Sequence, residues 1–92
     1  MNYYSENSFL RLRVISPARV LLEAEVLEVQ LPGLDGFLGI WPGHRPLNTC
    51  LRKGEIHYRT TGHQEGSLPV SGGLARVEND IILVFTDMEH DD

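Results

Sequence analysis

From Leu10 to Val14 apolar and cationic side chains alternate, with Leu10, Leu12 and Val14 on one parity and Arg11 and Arg13 on the other. That period of two marks a half-buried strand, and Pro17 ends it. In "VLLEAEVLEVQL", residues 20–31, Val20, Leu22, Ala24 and Val26 keep one parity, after which Leu27, Val29 and Leu31 take the other. A helix would scatter Glu23, Glu25 and Glu28 around its cylinder without a clean apolar stripe. A strand with a bulge or corner at Val26/Leu27, passing from one sheet to another, explains every position.

Further strands are predicted at "LNTCL", "EIHYRT", "SLPV", "LARVE" and "IILVFT", joined by "RKG", by a hairpin loop in "TGHQEG" and by a tight turn at Asn79–Asp80. Ile81 to Thr86 is apolar on both parities, which predicts a central strand covered on both faces. Pro69 confines its strand to an edge or a bulge, and "SGG" at Ser71–Gly73 reads as a turn or bulge. No segment carries the apolar period of a helix. The expectation is all-β: a flattened β-sandwich or barrel of about ten short strands. It should occupy residues 9–87, between a flexible 1–8 and a solvated acidic tail at 88–92.

The stretch "GFLGIWPGHRPL", Gly36 to Leu47, fits neither strand nor helix because glycines and prolines interrupt its apolar residues. It reads as an apolar loop with three candidate uses: a catalytic loop around His44, a phosphate cradle, or a docking surface for another protein.

Composition narrows these. Apolar residues make up 41% of the 92, and 13 acidic against 8 basic residues leave a net charge of −5. Scattered basic residues supply no concentrated cationic face, which argues against nucleic acid and against direct binding to anionic membrane. The single cysteine, Cys50, cannot form an internal disulfide, which leans towards a reducing compartment. No signal-peptide pattern and no run of 18 apolar residues is present, so the expectation is a soluble chain that meets a membrane only through a partner.

The chemistry-bearing residues point the same way. His44 has Arg45 beside it and Asp35 nine positions earlier, but no nucleophile pairs with it. Cys50 lies on the parity opposite Leu47, Thr49 and Leu51 and reads as a small inert side chain. "SGG" lacks the leading glycine of a nucleophile elbow. His44, His57, His63, His90 and Cys50 match no zinc spacing, and "GLDGFLG" has neither the spacing nor the helix of a phosphate loop. No catalytic residue, metal or cofactor is expected. Docking remains for the 36–47 loop, against the plainer reading that Phe37, Ile40 and Trp41 plug one end of the sandwich.

Three runs in this order, "LRVISPARVLLEAEVLEVQL", "PGLDGFLGIWPGHRPLNTCLRKGEI" and "VSGGLARVENDIILVFTD", resemble the N-terminal domain of the epsilon chain of the F-type ATP synthase from about Leu10 to Asp87. Pro17, Pro32–Gly33, Asp35–Gly36, Gly39–Ile40, Pro42–Gly43–His44, Pro46–Leu47, Lys53–Gly54, Gly72–Gly73 and Thr86–Asp87 carry the match. The resemblance implies a non-catalytic subunit of the central stalk that couples proton- or sodium-driven rotation of the c-ring to the gamma chain. It implies a peripheral position on the cytoplasmic face of the bacterial inner membrane. Carried over, Pro32, Gly33, Asp35, Gly36, Phe37 and Leu38 would face the c-ring, and Trp41, Pro42, Gly43, His44 and Arg45 the gamma chain. Arg45 and Asn48 depart from the usual small residue and leucine, which would retune the gamma contact.

Many relatives continue into a helical hairpin of roughly 40 residues, which these 92 do not include. The competing expectation is a free-standing β-sandwich module that binds a small ligand or metal through the 36–47 loop.

Overall fold

The computed structural model describes residues 9–87; the expectations for 1–8, for 88–92 and for His90 lie outside them. Six strands follow one another: β1 (Leu10–Ile15), β2 (Val20–Gly33), β3 (Gly36–Ile40), β4 (Leu47–Thr60), β5 (Glu65–Glu78) and β6 (Ile81–Thr86). They hydrogen-bond in the order β1-β6-β5-β4-β2-β3, and a further β1–β2 pairing closes the sheet into a flattened barrel with extents of 49 × 26 × 21 Å. β1 and β6 run parallel, and every other pairing is antiparallel.

The all-β class holds, but there are six strands where about ten were expected. β2, β4 and β5 are each 14 residues long and serve both walls of the barrel. β2 pairs with β1 up to Val26 and with β4 beyond it, and the register shifts between Val26 and Glu28. Leu27 is the extra residue, at the corner that the parity change marks. "RKG" and "SGG" prove to be interior to β4 and β5, not connections between strands. Lys53 pairs with Ser71 and Gly54 with Val70, so one long hairpin replaces four short strands. "GFLGI" is likewise a strand, β3, and only residues 41–46 form a loop.

The Asn79–Asp80 turn, the β4–β5 turn and the break at Pro17 fall where the sequence places them. Asn79 and Asp80 both have positive φ, 53° and 63°, as a two-residue hairpin of the primed type demands. In the β4–β5 turn the Thr60 hydroxyl accepts from the amides of Gly62 and Gln64, and His63 takes φ 67°. Ser16 accepts from the amides of Ala18 and Arg19 around Pro17. Pro69 sits in the part of β5 that pairs with β4 alone, because β6 joins β5 only from Gly73 onward. It is therefore on an edge, where a missing N–H costs no ladder bond.

Leu10, Leu12, Val14, Val26, Val29, Leu31, Ile56, Val77, Ile82 and Val84 fill the barrel, each fully or almost fully buried. Each such side chain contributes about 1.5–3 kcal/mol of burial free energy. β6 departs from expectation: Ile82, Val84 and Thr86 point inward, whereas Ile81 and Phe85 are 48% and 44% exposed. β6 is central in the strand order yet covered on one face only.

Candidate functional site

The β2–β3 hairpin is closed by the facing pair Gly33 and Gly36, leaving Leu34 and Asp35 as a two-residue turn. Gly36 takes φ 132°, a backbone region that side chains rarely enter. The tip presents Leu34, 62% exposed, and Phe37, 58% exposed. Asp35 and Gly36 are exposed beside them, Leu38 is half-buried against the core, and Pro32 and Gly33 are buried beneath. The Phe37 ring lies 5.9 Å from the His57 ring, and Arg52 and Lys53 border the same notch at the hairpin base. Leu34, the most exposed large apolar residue of the tip, was not among the candidates read from sequence. Its signal was its place in the turn of "GLDG".

The 41–46 loop is held by its own backbone and by two distant carboxylates. Trp41 donates its indole N–H to Glu28 Oε1 at 3.0 Å, and Glu28 in turn lies 3.6 Å from the Arg59 guanidinium. Gly43, at φ 88°, donates its amide to Asp80 Oδ1 at 2.8 Å. The His44 amide donates to the Trp41 carbonyl, and its Nδ1 is 2.7 Å from the Arg45 carbonyl oxygen. Trp41, Gly43 and Arg45 are exposed, and Pro42 and His44 half-exposed. The Arg45 guanidinium has no ion-pair partner among the described residues.

A second surface emerges only from strand register. Cys50 faces Leu74, Leu74 faces Phe85, Phe85 faces Ile15, and Ile15 faces Val20. Residues facing each other across paired strands share a side of the sheet. One row of apolar side chains therefore crosses β4, β5, β6, β1 and β2 on the outside of the barrel. Leu74, Phe85 and Val20 are each more than 40% exposed. The flanking row carries Asn48, Arg76, Leu83, Arg13 and Glu23, with Arg13 bonded to Glu23 at 3.0 Å. No sequence window reveals this row, because its members come from five strands.

Among the described residues no group of three or more His, Cys, Asp or Glu side chains converges as a metal site would require. His44 is tied to its own loop, His57 sits by Phe37 and Glu55, and His63 occupies the β4–β5 turn. The described residues include no helix long and apolar enough to cross a membrane.

The family model described as "ATP synthase, Delta/Epsilon chain, beta-sandwich domain" matches residues 9–89. The ATP synthase epsilon chain of Moorella thermoacetica is 38% identical over 78 residues, covering 85% of this chain and 58% of that protein. The chloroplastic ATP synthase epsilon chain of Galdieria sulphuraria is 45% identical over 76 residues, covering 83% and 54%. The chain thus spans a little over half the length of these curated relatives. Among solved structures, a chain of the Euglena gracilis mitochondrial ATP synthase, OSCP/F1/c-ring, superposes with a TM-score of 0.81 at 18% identity, over 94% of this chain and 58% of that one. A chain of the Tetrahymena thermophila mitochondrial ATP synthase central stalk/c-ring gives 0.72 at 13% identity, over 92% and 67%. At these identities the superpositions speak for the fold. The family match covers every described residue, and the chain belongs to the delta/epsilon-chain β-sandwich family of the ATP synthase.

Proposed function

We propose that this chain is a non-catalytic central-stalk subunit of an F-type ATP synthase, coupling c-ring rotation, driven by protons or sodium ions, to the gamma chain. The observation that carries the reading is that one closed barrel bares two sets of apolar side chains, Leu34 and Phe37 at the β2–β3 tip and Leu74, Phe85 and Val20 in the row across the strands. A soluble monomer gains nothing from either, and a rigid body with two such faces suits a part gripped by two partners. The β2–β3 tip, with Leu34, Asp35, Gly36, Phe37 and Leu38 over the buried Pro32 and Gly33, is the c-ring side in this reading. The 41–45 loop and the Cys50–Leu74–Phe85–Ile15–Val20 row form the gamma side. Leu47 leads directly from that loop into the strand that carries Asn48 and Cys50. The subunit would then be peripheral to the membrane, on the cytoplasmic face of a bacterial inner membrane, held there only by the complex.

Reconstitution tests this directly. Added to ATP synthase of the same organism depleted of its epsilon chain, this chain should co-purify with gamma and restore ATP-driven ion pumping. Failure of both, with a folded chain, would remove the reading.

A further inference from the structure

We infer that Asp80 is a positioning residue for the docking loop, acting through the backbone of Gly43; this rests on the proposed role of residues 41–45 in gamma binding. Asp80 is 37 residues away in sequence from Gly43 and belongs to the β5–β6 turn. It makes two long-range contacts in opposite directions. Its carbonyl accepts the Arg11 amide at 2.9 Å, fastening the turn to the start of β1. Its carboxylate accepts the Gly43 amide at 2.8 Å, fastening the loop to the turn. A carboxylate bond to a backbone N–H is of the stronger, charge-assisted kind.

The loop needs such a fastening. Between Ile40 and Leu47 its only internal backbone bond is the turn from Trp41 to His44, apart from the local His44 ring contact. Glu28 holds only the Trp41 ring at the start of the loop, and Gly43 at φ 88° is its most permissive position, so without Asp80 the stretch beyond Trp41 would sample many shapes and lose that freedom on binding. Ordering it beforehand removes that entropic cost from association. The side chain is separable from the turn itself. Asp80 stands at φ 63°, where glycine is at ease, and a glycine after Asn79 makes the pair that such turns favour most. Asp80→Gly should therefore preserve the β5–β6 hairpin while cutting the tether. Asp80→Asn keeps an acceptor oxygen and tolerates the same φ.

The test reads the isolated chain and the complex in parallel. In the chain, hydrogen exchange of the Gly43 amide should be slow in wild type and Asp80→Asn and fast in Asp80→Gly, with Tm of Asp80→Gly unchanged or raised. Against the purified gamma chain, Asp80→Gly should bind about tenfold more weakly, equivalent to about 1.4 kcal/mol, and Asp80→Asn within about twofold of wild type. An unchanged Gly43 amide in Asp80→Gly overturns the tether whatever the partner does. A freed amide with full gamma affinity overturns its role in docking. If wild type itself fails to bind gamma, the proposed function falls and the docking role with it, while the Gly43 exchange still decides the tether.

Discussion

The indole of Trp41 occupies the space above Gly39: a Cβ built on Gly39 would come within 2.6 Å of the far edge of the ring. Gly39 is the fourth of five residues in β3 and Trp41 follows the strand's end, and the pair explains why so apolar a strand carries a glycine there. Gly39→Ala sets two small effects against each other. A strand alanine gains roughly 0.5–1 kcal/mol over glycine, whereas the displaced ring loses its packing and its bond to Glu28, worth about 1 kcal/mol. Stability should change by less than about 1 kcal/mol. The ring, half-exposed and at the end of its side chain, should move, and Trp41 is the sole tryptophan of the chain. A red-shifted, more quenchable emission with little change in Tm is the expected outcome. Unchanged fluorescence would contradict the stacked position.

Gly73 is constrained differently. Its φ is 140°, and an added Cβ would run into the Phe85 carbonyl oxygen and lie 2.8 Å from Thr86 Cα. Both are backbone of the neighbouring strand and cannot rotate away. Gly36, at φ 132°, has nothing within 4 Å of its would-be Cβ. Gly73→Ala should cost about 3 kcal/mol or more and Gly36→Ala about 1–2 kcal/mol. For a domain of this size each kcal/mol moves Tm by about 4–8 °C, so thermal denaturation separates the two. Equal losses would mean that conformational strain, not contact, dominates at both.

These glycines also mark where the sequence could be read and where it could not. Local features were legible: the alternation of β1, the bulge residue Leu27, the Asn79–Asp80 turn, the 60–64 turn and the edge position of Pro69 all follow from side-chain parity or turn chemistry. The length of β4 and β5 was not, because Gly54, Gly72 and Gly73 give the same local signal in a bending strand as in a turn. Gly72 and Gly73 serve the strand by letting β5 approach β6, with Thr86 Oγ1 donating to the Gly72 carbonyl. β3 was hidden for the same reason, its glycines set by the hairpin twist and by Trp41. The open face of β6 is not visible in the sequence because apolar residues on both parities read as burial on both faces, whereas Ile81 and Phe85 stand bare on the outside of the barrel. The β2–β3 tip is visible in the sequence as the motif "GLDGF"; the row across five strands needs the register.

Phe37→Asp tests the tip. Phe37 is 58% exposed and its ring lies beside that of His57, so its loss should cost less than about 1 kcal/mol of stability. Charge placed where an apolar contact is proposed should uncouple ion pumping from ATP hydrolysis in the reconstituted enzyme. An unfolded variant would make Phe37 part of the core after all.

Phe85→Thr tests the row. Threonine keeps strand preference and removes the ring that links Leu74 to Ile15. The half-buried ring makes a stability loss of about 1 kcal/mol reasonable, well within what a folded domain survives. Gamma affinity should fall by about tenfold, the usual scale for an aromatic anchor. Full affinity by titration calorimetry would leave the row without a role in the complex.

Arg45 and Arg11 offer a matched comparison of two exposed cations. Arg11 already faces Glu25 across β1 and β2, 3.6 Å apart with both side chains well exposed, and such a pair contributes little. Arg45, in the 41–46 loop, has no ion-pair partner among the described residues, and in the proposed role its planar donors would meet a carboxylate, a carbonyl set or an aromatic face on gamma. Arg45→Ala should therefore weaken gamma binding by about fivefold or more, mainly through faster dissociation, and leave Tm within about 3 °C of wild type. Arg11→Ala should change neither. Both affinities measured at low and at high salt make the decision sharp. If the two variants lose equal affinity, and the loss vanishes at high salt, the cations act through long-range attraction and Arg45 makes no local contact.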